Sequence, residues 1–191
     1  MFTRRRFALT ALAAVAAPAV HAAPTSVPRY QVPRSMLPRI VDTPAGLAPN
    51  HIHVVPSEFA LYLAGTNGRA VRYTVGVAKP HLYHPGTYTI RAKKEFPSWM
   101  PTRGMIQREP HLYRKYEGVG IPGGLDNPLG ARALYLFKGN RDTFLRIHGT
   151  HYPHTVGNAV SNGCARLVND QMVDLYDRTP LYMPVTLHRW A

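Results

Sequence analysis

The chain has 191 residues, enough for one ordinary domain and a short extra segment but not for two full cores. Its hydrophobic fraction of 45%, with 11 Tyr, 6 Phe and 2 Trp, excludes a disordered or collagen-like polymer, and no apolar run is long enough for a conventional spanning helix. Lys and Arg number 23 against 10 Asp and Glu, a net charge of +13 that suits anionic surroundings, while one cysteine excludes an intrachain disulfide framework and a Cys-rich zinc site.

Residues 1–22 read as an export signal. Arg4, Arg5 and Arg6 form a basic start, Phe7 to Val20 an apolar stretch, and small residues surround a cut after Ala22. Thr3-Arg4-Arg5-Arg6-Phe7 resembles a twin-arginine signal. Without these three arginines the chain still carries 20 basic and 10 acidic residues, so the basic character belongs to the mature protein, expected in the periplasm or cell envelope. Residues 23–49 hold six prolines and little periodicity, and are expected to be an extended linker.

From residue 50 onward the pattern is one of strands. Ile52–Val55 and Phe59–Ala64 are short β-rich runs, and Gly65-Thr66-Asn67-Gly68 supplies a hairpin turn into a strand over Arg69–Val77. Gly86–Lys93, Ala133–Phe137 and Phe144–His148 add three more, and Pro184–His188 is expected to close the sheet. Between Glu95 and Arg132 lies a Pro- and Gly-rich stretch without a clean period, read as a lid or substrate wall with Trp99, Tyr113 and Tyr116 as lining candidates, the alternative being that these aromatics seal the edge of the core. One helix is clear: Asn169 is placed to cap it, Met172, Val173, Leu175 and Tyr176 form its apolar stripe, and Pro180 stops it. The sum is a mainly β single domain, residues 50–191, with one or two short helices.

The chemistry concentrates in His148-Gly149-Thr150, a loop, and Ser161-Asn162-Gly163-Cys164-Ala165-Arg166, with 16 residues from His148 to Cys164. A thiol attacks only as thiolate, so Cys164 needs a base or a positive charge nearby. In a strand over Phe144–His148, Arg146 and His148 share one face, and the following loop can return Cys164 to it. At the turn Asn162-Gly163-Cys164, successive backbone N–H groups can converge on a developing oxyanion. Arg166 is placed to hold an acidic substrate group. The spacing of His148, His151 and His154 invites a metal, but Gly149 and Pro153 argue for a loop, and no metal is expected.

This pattern of His-Gly-Thr, a spacer and Ser-x-Gly-Cys-x-Arg resembles the L,D-transpeptidase (YkuD-like) catalytic domain, with supporting matches at Pro85-Gly86-Thr87-Tyr88 and Asn127-Pro128-Leu129-Gly130. The resemblance implies a β-sandwich-like fold and a cysteine acyltransferase acting on peptidoglycan stem peptides. Cys164 is its implied nucleophile, His148 its base, Gly149 the carbonyl that orients the imidazole, and Asn162 and Gly163 the oxyanion turn; Arg166, Trp99 and Ser161 are the expected substrate contacts. It implies no cofactor, acylation by carbapenem-type β-lactams, and an amine acceptor from a second stem or a wall-anchored protein. The family commonly carries a second His where this chain has Asn162, so no side-chain catalysis is expected there. The competing readings are a carboxypeptidase of the same fold and a non-catalytic basic wall-binding module. Nucleic-acid binding is disfavoured by scattered charge and export. A papain-like protease is disfavoured because its Cys precedes its His.

Overall fold

A computed structural model describes residues 30–190. The export signal therefore lies outside the described residues. Among those described, no helix is long and apolar enough to cross a membrane.

Among the described residues, eleven strands carry the fold: β1 (Arg39–Asp42), β2 (His51–Val55), β3 (Ala60–Ala64), β4 (Arg69–Thr74), β5 (Val77–Ala78), β6 (Gly86–Glu95), β7 (Arg132–Lys138), β8 (Arg141–His148), β9 (Ala159–Ser161), β10 (Ala165–Arg166) and β11 (Pro184–Leu187). Three short helices join them: α1 (Arg103–Arg108), α2 (Pro110–Tyr113) and α3 (Asn169–Arg178). Nine strands form one mixed sheet in the order β1-β4-β3-β2-β11-β6-β7-β8-β10, and β5 pairs with β9.

The β3–β4 hairpin follows from its turn residues: Gly65 N–H donates to Arg69 O at 2.9 Å, and Gly68 takes φ +74°. Three expectations change. The proline-rich stretch is not linker throughout, because Arg39–Asp42 pairs antiparallel with β4. The strand from Arg69 stops at Thr74, because Gly76 leaves β4 to pair with Arg166. β11 does not close the sheet but fills its middle, parallel to β2 and antiparallel to β6, burying Val185 and Leu187.

The bridge between Gly76 and Arg166 joins the chain just beyond β4 to β10 at the far end of the sheet. The sheet must curl back on itself for this to form, which is the expected sandwich-like arrangement. Its inner faces and α3 enclose one core that includes Ile52, Leu61, Tyr73, Ile90, Leu134, Ile147, Leu167, Met172 and Leu175. Each such aliphatic side chain contributes roughly 1.5–3 kcal/mol by burial. Leu134→Ala, at a fully buried position, is expected to cost about 2–5 kcal/mol.

Helix α3 is anchored to both halves of the sheet. Tyr73 of β4 donates its hydroxyl to Asp174 at 2.5 Å. Lys93 of β6 donates to the carbonyls of Tyr176 and Thr179 at 2.7 and 2.6 Å, satisfying the helix C-terminus with a cation. Asn169 does not cap the helix as expected: Val168 occupies the N-cap, with no side-chain cap bond, and the Asn169 side chain reaches elsewhere.

Candidate active site

Strand β8 delivers Arg146 and His148, β10 delivers Arg166, and the turn just before β10 delivers Cys164. The ladder between the two strands is parallel and pairs Ala165 with Ile147 and Arg166 with His148. Leu145, Ile147, Ala165 and Leu167 all belong to the core, so the alternate residues Arg146, His148, Cys164 and Arg166 share the opposite face. The local sequence sets this up. Phe144 takes φ +61°, the β7–β8 register shifts beside it, and its carbonyl lies 3.9 Å from Cys164 Sγ.

The turn that presents the cysteine is closed by Ser161, whose buried hydroxyl donates to Cys164 O at 2.5 Å and accepts from Gly163 N–H at 3.4 Å. That hydroxyl is engaged inside the turn rather than facing a ligand. Gly163 has φ +138°, and a Cβ there would stand 3.2 Å from Leu145 Cδ2, so the turn calls for glycine. Cys164 is half-buried. Burial pushes its thiol up, while the Arg146 N–H and the charges of Arg146 and Arg166 pull it down; the net shift is upward.

His148 is buried, and its Nδ1 lies 2.5 Å from Gly149 O. A carbonyl only accepts, so Nδ1 carries the proton and Nε2 keeps its lone pair. Burial first, then the charge of Arg166, bring the imidazole down to about 3, against the opposing pull of the Gly149 carbonyl. His148 is therefore neutral at any physiological pH.

Two arginines flank this pair differently. Arg146 is held by Asp142 through two bonds of 2.7 and 2.8 Å and stacks 3.9 Å from the centre of the Tyr135 ring. Arg166 has no carboxylate partner among the described residues; one terminal nitrogen donates to Thr155 Oγ1 at 3.2 Å, and its Nε is buried without a partner. Its stem lies so close to Gly76 that a Cβ there would come within 2.9 Å of Arg166 Cγ.

Over the turn lies the segment between β6 and β7. Its main chain folds back where Trp99 and Ile121 exchange hydrogen bonds of 2.9 and 2.6 Å, and the buried Asn127 ties Ile121 O and Pro122 O at 3.0 and 2.8 Å. Trp99 packs against Tyr113 and Tyr116, with ring centres 6.1 and 5.8 Å apart. Tyr113 reaches the turn itself, its hydroxyl oxygen accepting from Asn162 Nδ2 at 2.9 Å. The Asn162 side chain is therefore committed to the β6–β7 segment, and its buried Oδ1 has no partner among the described residues. His151, packed on Tyr152 at 3.7 Å, feels the charge of Arg166 and in turn acts on His148. His148 ends a strand while His151 and His154 follow in the loop, and among the described residues no group of three or more metal-ligating side chains is placed to hold an ion.

Sequence reasoning missed the clamp of Asp142 and Tyr135 on Arg146, the latch between Tyr113 and Asn162, and the role of Asn169. Only the last carried a local signal, an Asn at a helix start, and that signal pointed to a cap.

A cysteine-bearing turn thus shares one face of a curled mixed sheet with a buried histidine whose Nδ1 faces a carbonyl. The model of the L,D-transpeptidase catalytic domain matches residues 49–187, and the chain belongs to that family. It is 31% identical over 134 residues to the probable L,D-transpeptidase ErfK/SrfK of Escherichia coli, covering 65% of this chain and 39% of that protein. It is 42% identical over 77 residues to the putative L,D-transpeptidase YqjB of Bacillus subtilis, covering 40% and 43%. The chain thus spans about two fifths of these relatives. Among solved structures, an Enterococcus faecium L,D-transpeptidase matches with a TM-score of 0.55 at 14% identity, over 74% of this chain and 50% of that one, a likeness of fold. A Brucella melitensis protein described as a probable carnitine operon oxidoreductase matches with a TM-score of 0.55 at 45% identity, over 78% and 92%.

Proposed function

We propose that the chain is a cysteine L,D-transpeptidase of the bacterial cell envelope, with Cys164 as nucleophile and His148 as base. The observation that carries this reading is the shared face of Cys164 and His148, with Nδ1–H of His148 held by Gly149 O and Nε2 left free to accept. The thiol proton passes to His148 Nε2 as Sγ adds to the carbonyl of the third residue of a stem peptide. The C–N bond to the terminal D-alanine then breaks, and the imidazolium returns its proton to the leaving amine. An amine from a second stem or a wall-anchored protein attacks the thioester, and the thiolate leaves.

The backbone N–H of Cys164 faces the developing oxyanion in this scheme, while that of Gly163 is held by Ser161 inside the turn; one such donor is typically worth about 10²–10³ in rate. Arg166, with no carboxylate partner among the described residues, holds an acidic group of the donor stem, and Trp99 with Tyr113 walls the donor's approach. Ser161 shapes the turn from within. No cofactor takes part in any step. The net positive charge suits an anionic wall polymer.

Muropeptide product analysis with purified protein tests the reading. Release of D-alanine with new cross-linked or amine-capped products, abolished in Cys164→Ala, is expected; equal turnover by the variant removes the assignment. Release without capture of an added amine would identify the carboxypeptidase, and binding without release the wall-binding module.

A further inference from the structure

We propose that Asn169 is a positioning residue that sets the tautomer of His148 through a single peptide plane, an inference that rests on His148 being the base of the proposed reaction. The side-chain oxygen of Asn169 accepts from Thr150 N–H at 3.1 Å and from Ala131 N–H at 3.0 Å. The peptide unit joining residues 149 and 150 has two ends. Its N–H, on Thr150, points at Asn169; its C=O, on Gly149, receives Nδ1–H of His148. A peptide is planar, so fixing the direction of the N–H fixes that of the carbonyl.

That constraint matters because residue 149 is glycine. Without a Cβ its ψ is soft, and the carbonyl could rotate away from the imidazole. The N–H of Gly149 is already pinned on Arg132 O at 3.0 Å, which holds the near side of the residue but leaves the 149–150 plane to Asn169. Packing shows that this arrangement is tight. A Cβ at Gly149 or at Gly130 would run into Asn169 Oδ1, and Gly130 has φ +63°, so both glycines leave room for the amide head. Accepting two N–H groups fills both lone pairs of that oxygen. The same contact ties the returning end of the lid, at Ala131, to the histidine strand.

With the carbonyl turned away, Nδ1 loses its acceptor, and a neutral imidazole is free to carry its proton on Nε2 instead. It would then present an N–H to the thiol in place of a lone pair and could not take the thiol proton. Asn169 acts on the chemistry at a distance, with no contact to substrate or sulfur required.

The test is imidazole ¹⁵N NMR of histidine-labelled full-length protein, with the His148 signals assigned by their loss in His148→Gln. The wild type is expected to show a single Nδ1–H tautomer at His148, Asn169→Ala a mixture, and Asn169→Asp, which keeps the acceptor, the wild-type pattern. In D-alanine release, Asn169→Ala is expected to lose about 10²-fold in kcat, the scale of a misplaced reacting group, with KM within about twofold. A folded Asn169→Ala with the wild-type tautomer overturns the proposal. Should that variant not fold, Asn169→Asp decides: its carboxylate, coupled through the 149–150 peptide, raises the His148 titration, and an unchanged titration overturns the inference. If the wild type releases no D-alanine, the proposed function fails, while the tautomer readout still decides the role of Asn169.

Discussion

Arg166 stands opposite His148 in the short parallel ladder between β10 and β8, placing a permanent cation beside a buried imidazole. With no carboxylate partner among the described residues, this guanidinium is expected to serve the substrate. Arg166→Gln should lower kcat/KM for an acidic donor peptide by about 10- to 100-fold, the worth of one charge-assisted hydrogen bond at about 1.5–3 kcal/mol. It should also let the His148 titration rise. Steady-state kinetics that match wild type would assign the residue to packing against Gly76 instead.

The thiol and imidazole shift in opposite senses, Cys164 up and His148 down. A raised thiol and a lowered imidazole leave both groups neutral at rest, rather than as a thiolate–imidazolium pair. The rate of Cys164 alkylation by iodoacetamide should therefore climb steadily with pH through and beyond 9.0, the thiol's ordinary value. A plateau already reached at neutral pH would show a preformed ion pair.

The segment between β6 and β7 is fastened to the cysteine turn by the bond from Asn162 to Tyr113, and we propose that it covers the site as a lid. Tyr113→Phe removes the acceptor at a cost of about 1 kcal/mol, which should raise KM by roughly fivefold. Trypsin should then cut faster among the exposed residues Arg108, Arg114 and Lys115. Unchanged cleavage would mean that the latch does not hold the lid.

A histidine cluster at the β2–β11 seam is expected to contribute, with the buried His148, to the loss of stability in acid. His53 Nδ1 lies 3.0 Å from His188 Nε2, and His51 stacks on His53 at 4.4 Å. Burial, then the charges of His53 and His188, hold His51 down to about 4, and burial also lowers His53 and His188. The unfolded chain binds these protons near 6.5 while the folded chain resists them, so stability is fully present above pH 6.5 and declines as pH falls toward about 4. Urea midpoints should fall across that window in wild type and less steeply in His51→Gln. Parallel curves would remove the cluster from the acid response.

Local patterns were legible where they decide structure alone. The β3–β4 hairpin follows from Gly65 and Gly68, and the stop of α3 from Pro180. The His148-to-Cys164 spacing was legible because it is a local motif linked by one loop. What the sequence hid depends on distant partners. Arg39–Asp42 becomes a strand only because β4 has a free edge, and β10 is too short for alternation to show. Asn169 carries the composition of a cap, but two N–H groups from other segments compete for its oxygen and win. Arg146 is legible only as a residue on the His148 face of its strand; its clamp by Asp142 and Tyr135 is not.

The central claim is that the Cys164 sulfur becomes acylated with His148 as its base. Intact-mass analysis with peptide mapping, after incubation with a carbapenem, reads this directly. A single stoichiometric adduct on the peptide containing Cys164 is expected, absent in Cys164→Ala and formed far more slowly in His148→Ala. No adduct on the wild-type protein, or one that forms equally fast without the imidazole, would contradict the account.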